Sequence, residues 1–569
     1  MLIGTGASPG IAIGKALIIE NEPLKIEKKH IDNIEKEKET LINALNESKT
    51  ELEKIKTKAF SELGEEKASI FEAHIMILED PELIEMTNTK IEGNVNAAYA
   101  LKKTADEFIA IFEVMENEYM RERAADIKDV TDRVLRKITG QKITDLAVLD
   151  EEVILVAHDL TPSDTAIMDK SKVMGFLTNI GGRTSHTAIM ARSLEIPAVV
   201  GLKNITKEVK NNDLVILNGE TGIIEINPEE ETISKYKELK EAYERDIKAL
   251  EEMKGQESIT SDGRKVEIAG NIGTPDDVPG LLRNDAEGVG LYRTEFIYMN
   301  RETMPTEEEQ YISYKKVLEA MGEKPIVIRT LDIGGDKKLP YLEIGEEMNP
   351  FLGYRAIRLC LQEQEIFKIQ LRALLRASVH GNLKIMFPMI SSLEELLEAK
   401  YILNEVKEDL KNENIEFSQD IEVGIMIEIP SAAIISDILA KHVDFFSIGT
   451  NDLIQYTCAV DRMNEKIEHL YQPFNPGVLR LIKTVIENGH KQGIWVGMCG
   501  EVAGDMRLIP LLIGMGLDEF SMSPISILHA RRLIRSLSYE KCKEIANEAL
   551  ELGTAKEIED FMAKISKTL

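Results

Sequence analysis

The sequence predicts a multidomain α/β protein: an α/β domain interrupted by an all-helical insertion, then a linker helix, then a C-terminal (β/α)8 TIM barrel. Three observations carry this. Short β runs punctuated by glycine occur at the start of the chain and again after Gly140. A Glu/Lys-rich helical texture fills the segment between them. From 258 onward, eight apolar runs alternate with helical stretches, the count of a (β/α)8 barrel.

Residues 1–22 contain Gly-rich turns and the apolar run AIGKALII. In 24–142, Ile31, Ile34, Leu41, Leu45, Leu52 and Ile55 fall on one a/d heptad track, with Lys38 and Ser48 as polar exceptions. Antiparallel helical hairpins follow from that pattern. The runs VILVAHDL, KVMGFLTNIGG, AVVGL and DLVILNGETGIIEINP return to the strand texture, so 143–228 joins 1–22 in one domain. The charged stretch 229–257 reads as a linker helix. The barrel, 258–569, contributes KVEIAGN, GVGLYR, IVIRTLD, KIMFPM, VGIMIEI, FFSIGT, WVGMCG and EFSMS as strands.

The 569 residues carry 69 Lys+Arg against 99 Asp+Glu, a net charge of -30 that disfavours nucleic acid and anionic lipid and suits a basic protein partner or solubility alone. Cys360, Cys458, Cys499 and Cys542 form no CxxC, which argues against a disulfide framework or a zinc knuckle. The start lacks a signal-peptide pattern, and no run approaches the ~18 apolar residues of a membrane span. The expected setting is the reducing cytoplasm, with no membrane insertion.

The polar residues of interest fall where catalytic groups of such barrels sit, just past the strands: Arg293, Arg329, Glu428, Asn451, Asp452 and Cys499. Guanidinium groups suit phosphate oxygens. Paired carboxylates offer hard oxygens to a divalent cation, although GTND before a helix is equally a good helix cap. Cys499, flanked by glycines, is either a small apolar filler or a general acid. In GGRTSHTAIMAR, His186 stands at a helix start among Thr184, Ser185, Thr187 and Arg183, a donor-rich setting for a phosphoryl group. A neutral imidazole is nucleophilic at cytoplasmic pH.

GGRTSHTAIMAR with EIPAVVG resembles the phosphohistidine signature of the phosphoenolpyruvate-utilising enzymes, and GIMIEIPSAAIISDILAKHVDFFSIGTNDLIQYTCAV resembles their second signature. Domain order, length and the opening TGASPGIAIGKA are similar to the Enzyme I branch, from the bacterial sugar phosphotransferase system. The resemblance implies a swivelling phosphohistidine domain (1–22 and 143–228) that carries His186. It also implies a helical domain (24–142) that docks the carrier protein HPr, and a barrel (258–569) that binds phosphoenolpyruvate and dimerises. It further implies Glu428 and Asp452 as Mg²⁺ ligands. Arg293, Arg329, Asn451, Asp452 and Arg462 would contact substrate, and Cys499 would protonate the enolate to pyruvate. Arg355 is a weaker match and is read as structural. Dikinases of the family add a large ATP-binding domain, for which the residues before the barrel leave no room, and no P-loop is present. A non-catalytic scaffold would be expected to lack His186, an arginine or a metal carboxylate, and none is missing.

Overall fold

The computed structural model describes the chain except residues 20–25, 64, 114–117, 141–148, 150, 161–167, 169–170, 183–184, 195, 300, 335–338, 340, 343–344, 346, 463, 465 and 567–569. At 58–63, 65–70, 113, 118–123, 125, 186, 189, 193 and 501 it describes the backbone only. Two compact units result, Met1–Ile247 and Lys248–Leu569.

In the first unit, β1 (Leu2–Ile3), β2 (Thr5–Ser8), β3 (Ile11–Ile19), β4 (Val153–Ala157), β5 (Val173–Thr178), β6 (Ala198–Val200), β7 (Leu214–Asn218) and β8 (Ile223–Ile226) form one sheet in the order β1-β8-β7-β3-β4-β5-β6-β2. Strand β3 pairs in parallel with β4, with Ala16 opposite Ile154, so the chain leaves the sheet after β3 and re-enters beside it. Between them lie α1 (Ile34–Leu63), α2 (Glu65–Leu78), α3 (Pro81–Glu92), α4 (Ala97–Glu113) and α5 (Glu118–Thr139). The heptad track of α1 is the buried stripe the pattern predicts: Leu41, Leu45, Leu52 and Ile55 pack with Phe71, Leu78, Ile91, Leu101 and Val134. Asp80 starts α3 by accepting the amides of Glu82 (2.8 Å) and Leu83 (3.3 Å), ahead of Pro81, whose missing N–H is harmless there.

The second unit is a closed barrel of parallel strands: β9 (Glu267–Ile272), β10 (Val289–Arg293), β11 (Pro325–Arg329), β12 (Asn382–Phe387), β13 (Glu422–Ile427), β14 (Phe445–Gly449), β15 (Trp495–Cys499) and β16 (Glu519–Met522). Each of the eight predicted runs is one of these strands. Side chains alternate across the wall. Ile268, Val496, Phe520 and their like join the large core under the helices. Leu291, Val327, Met386, Met426, Phe445 and Cys499 fill the interior. Parallel strands bury both faces, which explains their almost unbroken apolar runs.

Arg531, fully buried in helix Ile527–Ser536, closes the barrel's outer wall. It donates to the Asp285 carboxylate, to the Asp285 carbonyl at 2.7 Å and to the Met253 carbonyl at 3.2 Å. The segment that enters the barrel is thereby fixed to one of its last helices.

Leu52 has no exposure at the centre of the helical core. Truncating a fully buried leucine costs about 2–5 kcal/mol. Leu52→Ala is expected to lower the unfolding free energy of the first unit by that amount, moving its urea midpoint down while the barrel transition stays in place. Urea unfolding, followed at Trp495 fluorescence for the barrel and by circular dichroism for the helices, checks this.

Candidate functional site at the barrel mouth

Every barrel strand delivers its last residues to one end, and the polar ones converge there on a cavity of about 1190 Å³. Its wall includes Arg293, Arg329, Glu428, Asn451, Asp452, Arg462 and Cys499, seven residues singled out from sequence.

Arg329 ends β11 and is buried. Its guanidinium bridges Glu295 (2.8 Å) and Asp332 (2.8 Å). Burial alone would lower its pKa, but Asp332, Glu295 and Glu428 hold it firmly charged. Arg355 lies in the same cavity wall, donating to Asp332 at 2.8 Å and reaching Asp452 at 3.5 Å. Asp332 therefore clamps both guanidinium groups. Neither it nor Glu295 was singled out from sequence. The available signal was the spacing Arg329-Thr-Leu-Asp332, which places an acid just after the strand.

Glu428 directly follows β13 and is 1% exposed. Burial, with Asp452 and Asp332 nearby, pushes its carboxyl up to about 8 against the pull of Arg329 and Arg355. One of its oxygens accepts the Met389 amide at 2.6 Å. Asp452 is the third residue of helix Thr450–Cys458, which follows β14 directly. Asp452 Oδ1 and Asn451 Oδ1 are buried without a hydrogen-bond partner.

Two buried guanidinium charges thus face four carboxyls: Glu295, Asp332, Glu428 and Asp452. The deficit is of positive charge, and the unpartnered atoms are hard oxygens. This donor set fits a divalent cation held by Glu428 and Asp452. Arg293, by contrast, is exposed at the end of β10 and lies over the Phe296 ring at 5.1 Å. Arg462 is half-buried in the same wall.

Cys499 ends β15 and is 2% exposed. Its sulfur accepts from the Ser447 hydroxyl at 3.4 Å. Burial pushes the thiol up to about 12, with Ser447 and Arg329 opposing, so it stays protonated at neutral pH. Gly500 follows at φ 114°, where a Cβ would lie 2.6 Å from Thr450 Oγ1; only glycine allows that approach.

His186 lies in the other unit and opens helix His186–Ser193. Ser185 caps that helix by accepting the Ala188 amide at 3.3 Å. The Thr187 hydroxyl lies 3.0 Å from Asp159 Oδ1, and Arg192 donates to the Ala7 carbonyl at 2.8 Å. The imidazole itself, Arg183 and Thr184 lie outside the described residues.

Known protein families match along most of the chain. Three models of phosphoenolpyruvate-utilising enzymes match: the N-terminal domain at residues 3–123, the mobile domain at 149–222 and the PEP-binding domain at 247–539. The phosphoenolpyruvate-protein phosphotransferase of Staphylococcus carnosus (strain TM300) is 56% identical over 565 residues, 99% of each chain. That of Geobacillus stearothermophilus is 56% identical over 562 residues, covering 99% of this chain and 97% of its own. An NMR solution structure of Enzyme I (nEIt) is 50% identical with a TM-score of 0.39, covering 43% of this chain and all of that one. The chain belongs to the phosphoenolpyruvate-utilising enzyme family.

The buried Glu428 gives a pH prediction. Its folded pKa of about 8 exceeds its ordinary 4.5, so its burial favours the folded barrel fully below pH 4.5, and that contribution is lost as pH rises through 8. A cation bound there must displace the proton. Calorimetric titration with Mg²⁺ is expected to show tighter binding at pH 8.5 than at 6.5, with proton release. Equal affinity at both values would remove Glu428 from the ligand set.

Proposed function

We propose that this member of the phosphoenolpyruvate-utilising family is a phosphoenolpyruvate–protein phosphotransferase. It would take the phosphoryl group of phosphoenolpyruvate onto His186, release pyruvate, and pass the group to a histidine of the carrier HPr, the first step of phosphotransferase sugar transport. The observation that carries this reading is the barrel mouth. Anion-binding arginines, an unfilled oxygen set and a protonated thiol converge on one cavity large enough for the substrate.

The residues divide the work by charge. Arg293, Arg329, Asn451 and Arg462 hold the phosphate and carboxylate, and Asp452 borders both substrate and metal. Arg329 and Arg355, locked by Asp332, need no reorganisation as negative charge moves, which is the condition for strong electrostatic stabilisation. Mg²⁺ between Glu428 and Asp452 would neutralise charge on the substrate's oxygens. His186 attacks phosphorus in line with the departing enolate oxygen. Cys499 then gives its proton to the methylene carbon, and the product is pyruvate. A thiol that stays protonated is suited to that task.

Phospho-His186 next meets the carrier. The groove between α1 and α2 supports docking on the helical domain. It is lined by Ile75 and Met76 among Lys49, Lys56, Glu72 and Glu79, and Met76 is 67% exposed. An apolar centre ringed by both charge signs is a surface for a small protein. His186 serves both sites, so its domain would swivel between them. Leu397, Tyr401, Ile434 and Ile438 stand exposed on neighbouring barrel helices, which supports a homodimer through the barrel. No helix among the described residues is long and apolar enough to cross a membrane. We place the enzyme in the cytoplasm.

Labelled phosphoenolpyruvate with Mg²⁺ is expected to mark His186 alone, through an acid-labile, base-stable bond. Label that persists in His186→Ala sinks the assignment. Cys499→Ala is expected to bind substrate normally yet form pyruvate roughly 10²–10⁴-fold more slowly. Turnover within about threefold of wild type, with chemistry limiting, would exclude the thiol as the acid.

A further inference from the structure

The side of Cys499 that faces away from the cavity is polar where the rest of the barrel interior is not. Phe445, Ser447 and Gly449 share one face of β14, as Trp495, Gly497 and Cys499 share one face of β15. Leu291, Val327, Met386, Met426 and Phe445 make the surrounding interior apolar. Ser447, 1% exposed, breaks that pattern. Register sets it between Met426 on β13 and Gly497 on β15, while Cys499 pairs with Gly449. Ser447 therefore stands one layer below the thiol. Cys499 lines the cavity and Ser447 does not.

The flank toward the barrel floor is already filled. A Cβ on Gly497 would lie 2.1 Å from Glu519 Oε2, and one on Gly290 would lie 1.9 Å from Glu519 Oε1, so the buried Glu519 carboxyl takes the place of both side chains. Glu519 belongs to an ionisable floor with its register partner Glu267 and the Lys384–Glu422 pair at 2.8 Å. The Ser447 hydroxyl turns the other way and donates to Cys499 Sγ at 3.4 Å. The thiol aims its own weak donor at the Ile448 carbonyl, at 3.9 Å.

A hydroxyl in an apolar interior costs free energy unless it is hydrogen-bonded. A neutral thiol offsets that cost poorly, because its sulfur is a weak acceptor. A thiolate offsets it well, since a hydrogen bond to an ionised group is roughly twice as strong. Ser447 is thus matched to the charge the sulfur acquires during reaction rather than to its resting state. An interaction that strengthens toward the transition state is the kind that lowers a barrier. The charged groups around the sulfur do not replace it. Burial raises the thiol most, Ser447 and Arg329 pull it back, and Glu519 and Glu428 add to the rise. Arg329 is itself tied to Glu295 and Asp332.

We propose that Ser447 is a positioning residue for the pyruvate-forming step, its hydroxyl stabilising the charge that appears on sulfur as Cys499 gives up its proton. This rests on Cys499 being the acid that makes pyruvate. The S–H bond breaks and its electron pair stays on sulfur. The methylene carbon takes the proton on the enolate's π pair, and the enolate oxygen closes to the carbonyl. The Ser447 O–H bond stays intact throughout, and its hydrogen bond to sulfur tightens. With sulfur held from beneath, the thiol hydrogen is free to turn toward the cavity.

A double-mutant cycle in the full-length enzyme, read as pyruvate formation with Mg²⁺ and excess HPr as acceptor, tests this. Ser447→Ala is expected to lower kcat by about tenfold or more, short of the roughly 10²–10³ of an oxyanion-hole donor because sulfur is a weaker acceptor. KM for phosphoenolpyruvate should stay within about twofold, and the slowing in D₂O should grow as proton transfer becomes more limiting. In a Cys499→Ala background the same substitution should change turnover by less than about twofold, since no sulfur remains for the hydroxyl to act on. Ser447→Cys, assayed under reductant, keeps the volume with a feeble donor and serves the same cycle if the alanine variant does not fold. Equal losses in both backgrounds mark a structural role and overturn the proposal. So does a Ser447→Ala enzyme within about twofold of wild type. If Cys499→Ala itself keeps wild-type turnover, the acid assignment falls and takes this proposal with it, an outcome distinct from the other two.

Discussion

Arg329, buried against Glu295, Asp332 and Glu428, sets the terms for everything around the barrel mouth. A guanidinium in so dry a place is tolerated only when paired and hydrogen-bonded on several sides. Asp332 supplies one partner to Arg329 and another to Arg355, so the two cations cannot move independently. The carboxyls then outnumber the cations, and the excess falls at Glu428 and Asp452. Burial first, and that imbalance second, raise Glu428, and they leave buried oxygens of Asp452 and Asn451 without a hydrogen-bond partner. Replacing Asp332 would remove one partner from each arginine at once, leaving Glu295 to Arg329 and Asp452 to Arg355, whereas replacing either arginine would leave buried acids facing each other.

The sheet topology explains why these groups meet. In a closed parallel barrel every strand ends at the same rim, so residues hundreds of positions apart become neighbours without any local sequence signal. Asn271 and Ser521 touch across 250 positions. The cost is a second rim of inward-facing residues at the opposite end, and here that rim is ionisable rather than apolar.

Much of this was legible in the sequence. The eight strands announced themselves because burial on both faces leaves unbroken apolar runs. The helical insertion did so because one stripe of leucine and isoleucine recurs in a Glu/Lys background. Arg329, Glu428, Asn451 and Cys499 were found because each breaks an apolar run at its C-terminal end. Glu295 and Asp332 were not singled out, since an acid just past a strand end looks like any surface acid. Glu519 was hidden for another reason. It stands at the start of a strand, where a charged residue normally faces solvent, and only the glycines at 290 and 497, on other strands, reveal that it turns inward.

The seam between β9 and β16 has a consequence for the birth of the molecule. Glu267 pairs with Glu519, and Arg531 grips Asp285 and Met253. The ring therefore cannot shut until the ribosome has released β16 and the helix that carries Arg531. Contacts of such long sequence separation form slowly. Meanwhile β9 and β15 would wait with open edges and apolar faces, a state prone to pairing with neighbours. The first unit faces no such delay, because its sheet is complete once β8 has emerged. In the cell, the histidine-bearing half is thus expected to be folded while the barrel is still an open curl that depends on chaperones to keep its edges apart.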